Sequence, residues 1–232
     1  MYQYDMAIGE TLIKRLPTGS KALDDILGGG FEVGTISQIF GEPASGKTNI
    51  CIQLAVNMLK EGRRVIYIDT EGFSIERFDQ IAGGDSRELS KRLILFSPMD
   101  FKEQYVAIKD SEKLVKENVG LIILDSATAF YRVELESKDS MLLKRELANQ
   151  VTALLGMARK YDVAVVITNQ IYMDVDREEL KAVGGNMLEH ISKAIVQLSR
   201  TGIGTRMAVL KKHRSMAEGQ SAEFKITATG VE

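Results

Sequence analysis

QIFGEPASGKTNI, residues 38–50, places Gly41, Gly46, Lys47 and Thr48 in the pattern G-x-x-x-x-G-K-T. A β-branched apolar run (TISQIF, 35–40) precedes it and a helical pattern follows. That setting is the one a phosphate-binding loop needs. Gly41 and Gly46 permit the tight curvature, and the backbone of Gly41, Glu42, Pro43, Ala44, Ser45 and Gly46 can turn its N–H groups (Pro43 excepted) inward around phosphate. The helix opening at Lys47, Thr48 and Asn49 aims its positive end at the same point. Lys47 would neutralise β/γ-phosphate charge, and the Thr48 hydroxyl would sit on Mg²⁺. The sequence therefore points to ATP with Mg²⁺ as the ligand.

Outward from this loop, short apolar runs alternate with helical patterns. VIYIDT (65–70), LILFSP (93–98), LIILDS (121–126) and VAVVIT (163–168) are separated by helical stretches, among them 102–117 and about 140–160. Continuous β-branched runs of this kind are buried strands of a mostly parallel sheet with helices on both faces, an α/β fold. AIVQLSR (194–200), RMAVLKKHR (206–214) and AEFKITATG (222–230) close the chain. The last two, joined through short turns, read as antiparallel strands at the C-terminal edge. A chain of 232 residues, 44% hydrophobic and 27% charged, suggests one domain. Cys51 has no disulfide partner and reads as a buried, inert thiol of a reducing compartment. No apolar h-region and no 18-residue apolar window is present, so a cytoplasmic chain is expected. Two histidines and one cysteine without ligand spacing exclude a structural metal site. A net charge of −2 leaves any nucleic-acid surface to be local.

In such a sheet, ligands bind outside the carboxyl ends of the strands. Four of these ends carry apt chemistry. LIILDS ends in Asp125, suited to holding Mg²⁺ through water. YIDTEG supplies Asp69 and Glu71, of which Glu71 is placed to orient and activate the attacking water. VVITNQ ends in Asn169 and Gln170, and the Gln170 amide can bond a γ-phosphate and report its presence to the following loop. The bland alternatives are a solvated loop carboxylate at 71 and a plain turn at 170.

Taken together, TGSKALDDILGGGFEVGT, FGEPASGKTNICIQLA, YIDTEGFSIER, LIILDSATAFYR, ARKYDVAVVITNQ, VGGNMLEH and AEFKITATGVE resemble the RecA/RadA recombinase superfamily from Leu16 to Val231. YIDTEG and ITNQ favour its archaeal/eukaryotic branch. The resemblance implies a RecA-like P-loop ATPase core spanning 1–232. It also implies Arg77 stacking on adenine, although the segment around SIER is one residue shorter than the usual form. The departures point to a paralogue made of the core alone. Residues 1–15 are a short extension with no separate N-terminal DNA-binding domain, and Tyr4-x-x-Ala7 only echoes the family's filament tether. The segment after Gln170, IYMDVDREEL, is short and acidic. A core of this kind would bind ATP and DNA and hydrolyse ATP weakly. It would assist a main RadA-type recombinase, and a Holliday-junction resolvase acting on branched DNA, without exchanging strands itself. The alternatives are a DNA-dependent strand-exchange recombinase and a KaiC-like signalling ATPase with no DNA role.

The resemblance also assigns Lys212 and Arg214, in LKKHR, to a neighbour's γ-phosphate across a self-association interface; a DNA-phosphate patch or a solvated edge are the other readings. In FYRVELESKDSMLLKREL, Tyr131 can stack on a base, and Arg132, Lys138, Lys144 and Arg145 can reach phosphates. The acids Glu134, Glu136 and Asp139 dilute that charge, so modest, salt-sensitive, sequence-independent binding is expected. An ordinary charged helix start is the alternative.

Overall fold

Alternate residues along the central strands belong to two separate cores. Val65 and Tyr67, Leu121 and Ile123, and Ala164 and Val166 pack on one side of a sheet. Ile66 and Ile68, Ile122 and Leu124, and Val165 and Ile167 pack on the other. This is the two-residue side-chain period of a strand covered on both faces, and it accounts for runs that show no polar alternation. The structure, a computed structural model, describes residues 13–135, 140–174 and 179–232.

The chain opens with β1 (Arg15–Leu16), α1 (Lys21–Ile26) and β2 (Phe31–Glu32), in which β1 and β2 form a small antiparallel pair. Then come β3 (Ile36–Gly41), α2 (Lys47–Lys60), β4 (Arg64–Asp69), α3 (Ile75–Ala82), α4 (Ser86–Ser90), β5 (Leu93–Phe96) and α5 (Phe101–Leu114). β6 (Val119–Asp125), α6 (Ala129–Glu134), α7 (Ser140–Tyr161) and β7 (Ala164–Asn169) follow. The last part is β8 (Ile171–Asp174), β9 (Glu179–Ala182), α8 (Gly185–Ile191), β10 (Ala194–Arg200), β11 (Thr205–Lys212), β12 (Ser221–Thr227) and β13 (Gly230–Val231).

The nine-stranded sheet has the order β13-β12-β11-β10-β3-β7-β6-β4-β5. From β10 to β5 every pairing is parallel, and from β10 to β13 every pairing is antiparallel. The expected α/β architecture, with its antiparallel C-terminal edge, is what the chain adopts. The run 222–230 is not one strand, however: it breaks after Thr227, and Gly230–Val231 folds back on β12. Helices α1 to α4 cover the first core and α5 to α8 the second. Each fully buried Leu, Ile or Phe in these layers stabilises the fold by about 1.5–3 kcal/mol. Because β3, β4, β6 and β7 are parallel, their carboxyl ends open on one side, and the functional candidates converge there. Of the acidic run after Gln170, the described residues Ile171–Asp174 pair antiparallel with Glu179–Ala182 as β8 and β9. Among the described residues no helix is long and apolar enough to cross a membrane.

Candidate nucleotide site

The loop after β3 is shaped by contacts that no other residue type allows. Gly41 pairs with Leu198 of β10, and a Cβ at 41 would lie 2.2 Å from the Leu198 carbonyl oxygen. Gly46, the residue before α2, has φ +105°, and Ala44 at the loop's apex has φ +60°. Lys47 folds back over the loop: its Nζ donates to the carbonyls of Gly41 (3.0 Å) and Glu42 (3.1 Å). Its burial pulls the ammonium pKa below the ordinary lysine range, opposed by the carboxylates of Glu71 and Asp125. Ser45 Oγ is buried in the loop with no hydrogen-bond partner. Thr48 and Asn49 are half-buried in the first turn of α2.

The outer wall of the loop comes from residues that the sequence does not advertise. Arg206 Nε donates to the Ala44 carbonyl (3.0 Å), and the Glu42 carboxylate accepts from the Arg200 N–H (2.6 Å). Both arginines stand at the turn between β10 and β11, where Arg200 pairs with Arg206. The edge of the sheet therefore braces the loop's apex.

Asp125 closes β6 at 1% exposure. Its two oxygens accept from the hydroxyls of Tyr67 (2.7 Å) and Thr168 (2.5 Å), on the strands to either side. Burial, and then the Asp125 charge, push the Tyr67 hydroxyl well above the ordinary tyrosine range, so it stays a donor. Asp69 organises the adjacent turn, its carboxylate accepting from the N–H groups of Glu71, Gly72 and Phe73. That turn projects Glu71, whose Oε1 accepts from Gln170 Nε2 at 3.0 Å. Gln170 Oε1 in turn accepts from Arg132 Nη1 at 3.4 Å. Gly41, Pro43, Lys47, Thr70, Glu71, Arg132 and Gln170 line one cavity of about 580 Å³.

The structure redistributes the other sequence candidates. Arg132, expected at DNA phosphates, stands in this cavity. Tyr131 is 3% exposed, with its ring 6.0 Å from that of Phe101. Buried on α6, Tyr131 does not present its ring to solvent for the expected base stacking. The exposed aromatic nearby is Tyr172, across a separate cavity of about 390 Å³ that Lys144 also lines. Lys144 and Arg145 are exposed on α7. Lys138 and the Tyr4-x-x-Ala7 echo lie outside the described residues.

Arg77, on α3, donates to Asn49 Oδ1 (2.6 Å), to Gln80, and to the carbonyls of Ala228 and Gly230. It thus ties the loop helix to the C-terminal hairpin. Lys212 pairs with Ile195, which pairs with Gln38, and so lies toward the amino ends of the parallel strands. Its Nζ donates to the Glu189 carbonyl at 2.5 Å, and burial, with Lys193 nearby, lowers its pKa. Arg214 is ion-paired with Glu32 at 2.7 Å. Neither side chain reaches the cavity around Lys47 of its own chain. Cys51 is fully buried, and burial raises its thiol pKa.

The residues fit ATP and Mg²⁺. The loop curves around the Lys47 ammonium and leaves the buried Ser45 Oγ without a partner. Thr48 and Asp125 are hard oxygen donors. Among the described residues no cluster of three or more His, Cys, Asp or Glu forms a cage. Mg²⁺ needs none, since it keeps several waters and takes one or two protein ligands beside the phosphates.

The Rad51 family profile matches residues 10–232. The chain is 53% identical to the DNA repair and recombination protein RadB of Methanococcoides burtonii, over 96% of this chain and 99% of that protein. It is 51% identical to the RadB of Methanoculleus marisnigri, over 94% and 97%. The crystal structure of the RadB recombinase superposes with a TM-score of 0.81 at 40% identity, covering 94% of this chain and 98% of that one.

Proposed function

The chain belongs to the Rad51 family, among its RadB DNA repair and recombination proteins, and from that premise we propose that it binds ATP·Mg²⁺ and DNA and uses the nucleotide as a conformational signal. Hydrolysis is slow, and the protein is accessory to a main recombinase, with branched DNA and its resolvase as further partners. The observation that carries this reading is the Gln170–Glu71 hydrogen bond. The carboxylate suited to take the proton of an attacking water is engaged by a neutral amide, on a loop that leads directly into the β8–β9 hairpin.

In this reading Lys47 and the backbone N–H groups of the loop hold phosphate, and Thr48 and Asp125 hold Mg²⁺. Glu71 orients water, Gln170 registers the terminal phosphate, and Arg77 flanks the base. Mg²⁺ held there would supply positive charge against the phosphates. The position of Lys212 and Arg214, away from their own loop, supports action on a neighbour's phosphate if copies associate. Their engagement with Glu189 and Glu32 fits a chain that supplies this charge only on assembly.

Fluorescence anisotropy of labelled single-stranded and branched DNA, with ATP, ADP or no nucleotide and with Lys47→Ala as control, tests the reading. Wild type should bind with an affinity that depends on nucleotide and falls steeply with salt, and should not exchange strands alone. Strand exchange by the isolated protein would favour a recombinase. Absence of DNA binding at low salt would favour a KaiC-like signalling ATPase.

A further inference from the structure

The turn between β11 and β12 is fastened to the start of the chain through an imidazole. His213 Nδ1 accepts from the backbone N–H groups of Ser215 (3.1 Å) and Met216 (3.0 Å), and Nε2 of the same ring stands 3.4 Å from Arg15 Nη1. Arg15, on β1, also donates to the carbonyls of Leu27 (2.9 Å) and Gly30 (3.4 Å), in the loop between α1 and β2. Arg214 is ion-paired with Glu32 on β2. Met216 reaches the same loop, where a Cβ at Gly28 would lie 3.1 Å from its Sδ. The strand that ends at this turn, β11, carries Arg206 near its other end, and Arg206 braces the Ala44 carbonyl of the phosphate loop. A neutral imidazole has one N–H and one lone pair. Two backbone donors claim the lone pair of Nδ1, so the network assigns the ring proton to Nε2. A second proton would have to sit on Nδ1, against N–H groups that cannot accept it. The charged ring would then lie beside the guanidiniums of Arg15 and Arg214, opposed by a Glu32 carboxylate that Arg214 already engages. Burial first, and then Arg15, pull the His213 pKa below the ordinary histidine range.

We propose that His213 is a pH-sensitive latch: neutral, it holds the β11–β12 turn onto the first strands of the chain, and protonated, it releases the turn and Met216 with it. The direction follows from which state takes up the proton first. The unfolded chain does so near the ordinary histidine value of about 6.5, and the folded chain only at lower pH. The stability that the latch contributes is therefore complete above about pH 6.5 and is lost as the pH falls through the folded-state pKa. The proton acts on three elements at once, because β1, the loop after α1 and β2 all meet this one turn.

Equilibrium urea unfolding of the full chain at about pH 7.5 and about pH 5, wild type against His213→Asn, tests it. The Asn side-chain oxygen can replace Nδ1 as the acceptor of the turn's N–H groups and does not titrate. At the higher pH the two proteins should unfold at nearly the same urea concentration. At the lower pH the wild-type midpoint should lie about 0.2–0.5 M below that of the variant, the equivalent of one net hydrogen bond in a chain of this size. Amide-exchange protection at Ser215 and Met216, corrected for the intrinsic rate, should fall over the same interval in wild type alone. The imidazole nitrogen spectrum of wild type should show the Nε2–H tautomer at the higher pH. Equal pH dependence of the two midpoints overturns the latch. A folded-state His213 that titrates at or above its value in urea, or that carries its proton on Nδ1 at neutral pH, overturns it too, and this readout needs no variant to fold.

Discussion

Tyr67→Phe removes one oxygen atom and leaves the rest of a fully buried ring in place, edge-on to Phe73 at 5.0 Å. The lost hydroxyl is one of two that hold the Asp125 carboxylate, so the carboxylate keeps only Thr168. A hydrogen bond to a charged, buried acceptor contributes about 1.5–3 kcal/mol, and no cavity forms to add to it. With a urea m-value of about 3 kcal/mol/M for a chain of this size, the unfolding midpoint should fall by about 0.5–1 M. Because the Tyr67 hydroxyl stays protonated, the difference should persist from neutral pH to pH 9. The same variant should raise the Mg²⁺ concentration needed for half-maximal ATP binding by about tenfold, the lower end of what outer-shell partners of a metal ligand contribute. The measurements are equilibrium urea unfolding of the nucleotide-free protein and a Mg²⁺ titration of ATP binding. A midpoint shift below about 0.2 M would refute the electrostatic account of Asp125, and an unchanged Mg²⁺ requirement would refute its role in the nucleotide site.

Gly41→Ala forces a Cβ against the Leu198 backbone. Overpacking of about 1–3 kcal/mol should lower the melting temperature by about 4–10 °C and abolish ATP binding; a variant that melts like wild type and binds ATP would contradict it. Arg206→Gln removes the donor to the Ala44 carbonyl and should weaken ATP binding about two- to tenfold while the saturated turnover rate stays the same. A drop in saturated rate with unaltered affinity would show that the brace acts elsewhere.

How much of this could be read from the sequence depended on how local each feature is. The phosphate loop and the strand-end residues Asp125, Glu71 and Gln170 were legible because a motif and the strand before it fix their place. That they converge follows from parallel strands, which the unbroken β-branched runs announced. The partners Tyr67, Thr168 and Arg206 were not legible. Each meets its target through sheet register, across sequence gaps that carry no periodic signal. Tyr131 was misplaced for a different reason. A six-residue helix is too short to show which face turns inward, and Tyr-Arg looked like a stacking pair until Phe101 stood beside the ring. Lys212 and Arg214 were singled out by the resemblance, which says nothing of what they touch within one chain. The strand ends at Lys212, and Arg214 turns to Glu32 instead.

The central claim is that ATP serves this chain as a signal and not as fuel. ATP turnover with and without single-stranded DNA, at low and moderate salt and with Lys47→Ala as control, tests it most directly. The account expects slow turnover that DNA leaves essentially unchanged, while DNA binding persists. Stimulation by several orders of magnitude would contradict it and make the chain a DNA-driven motor.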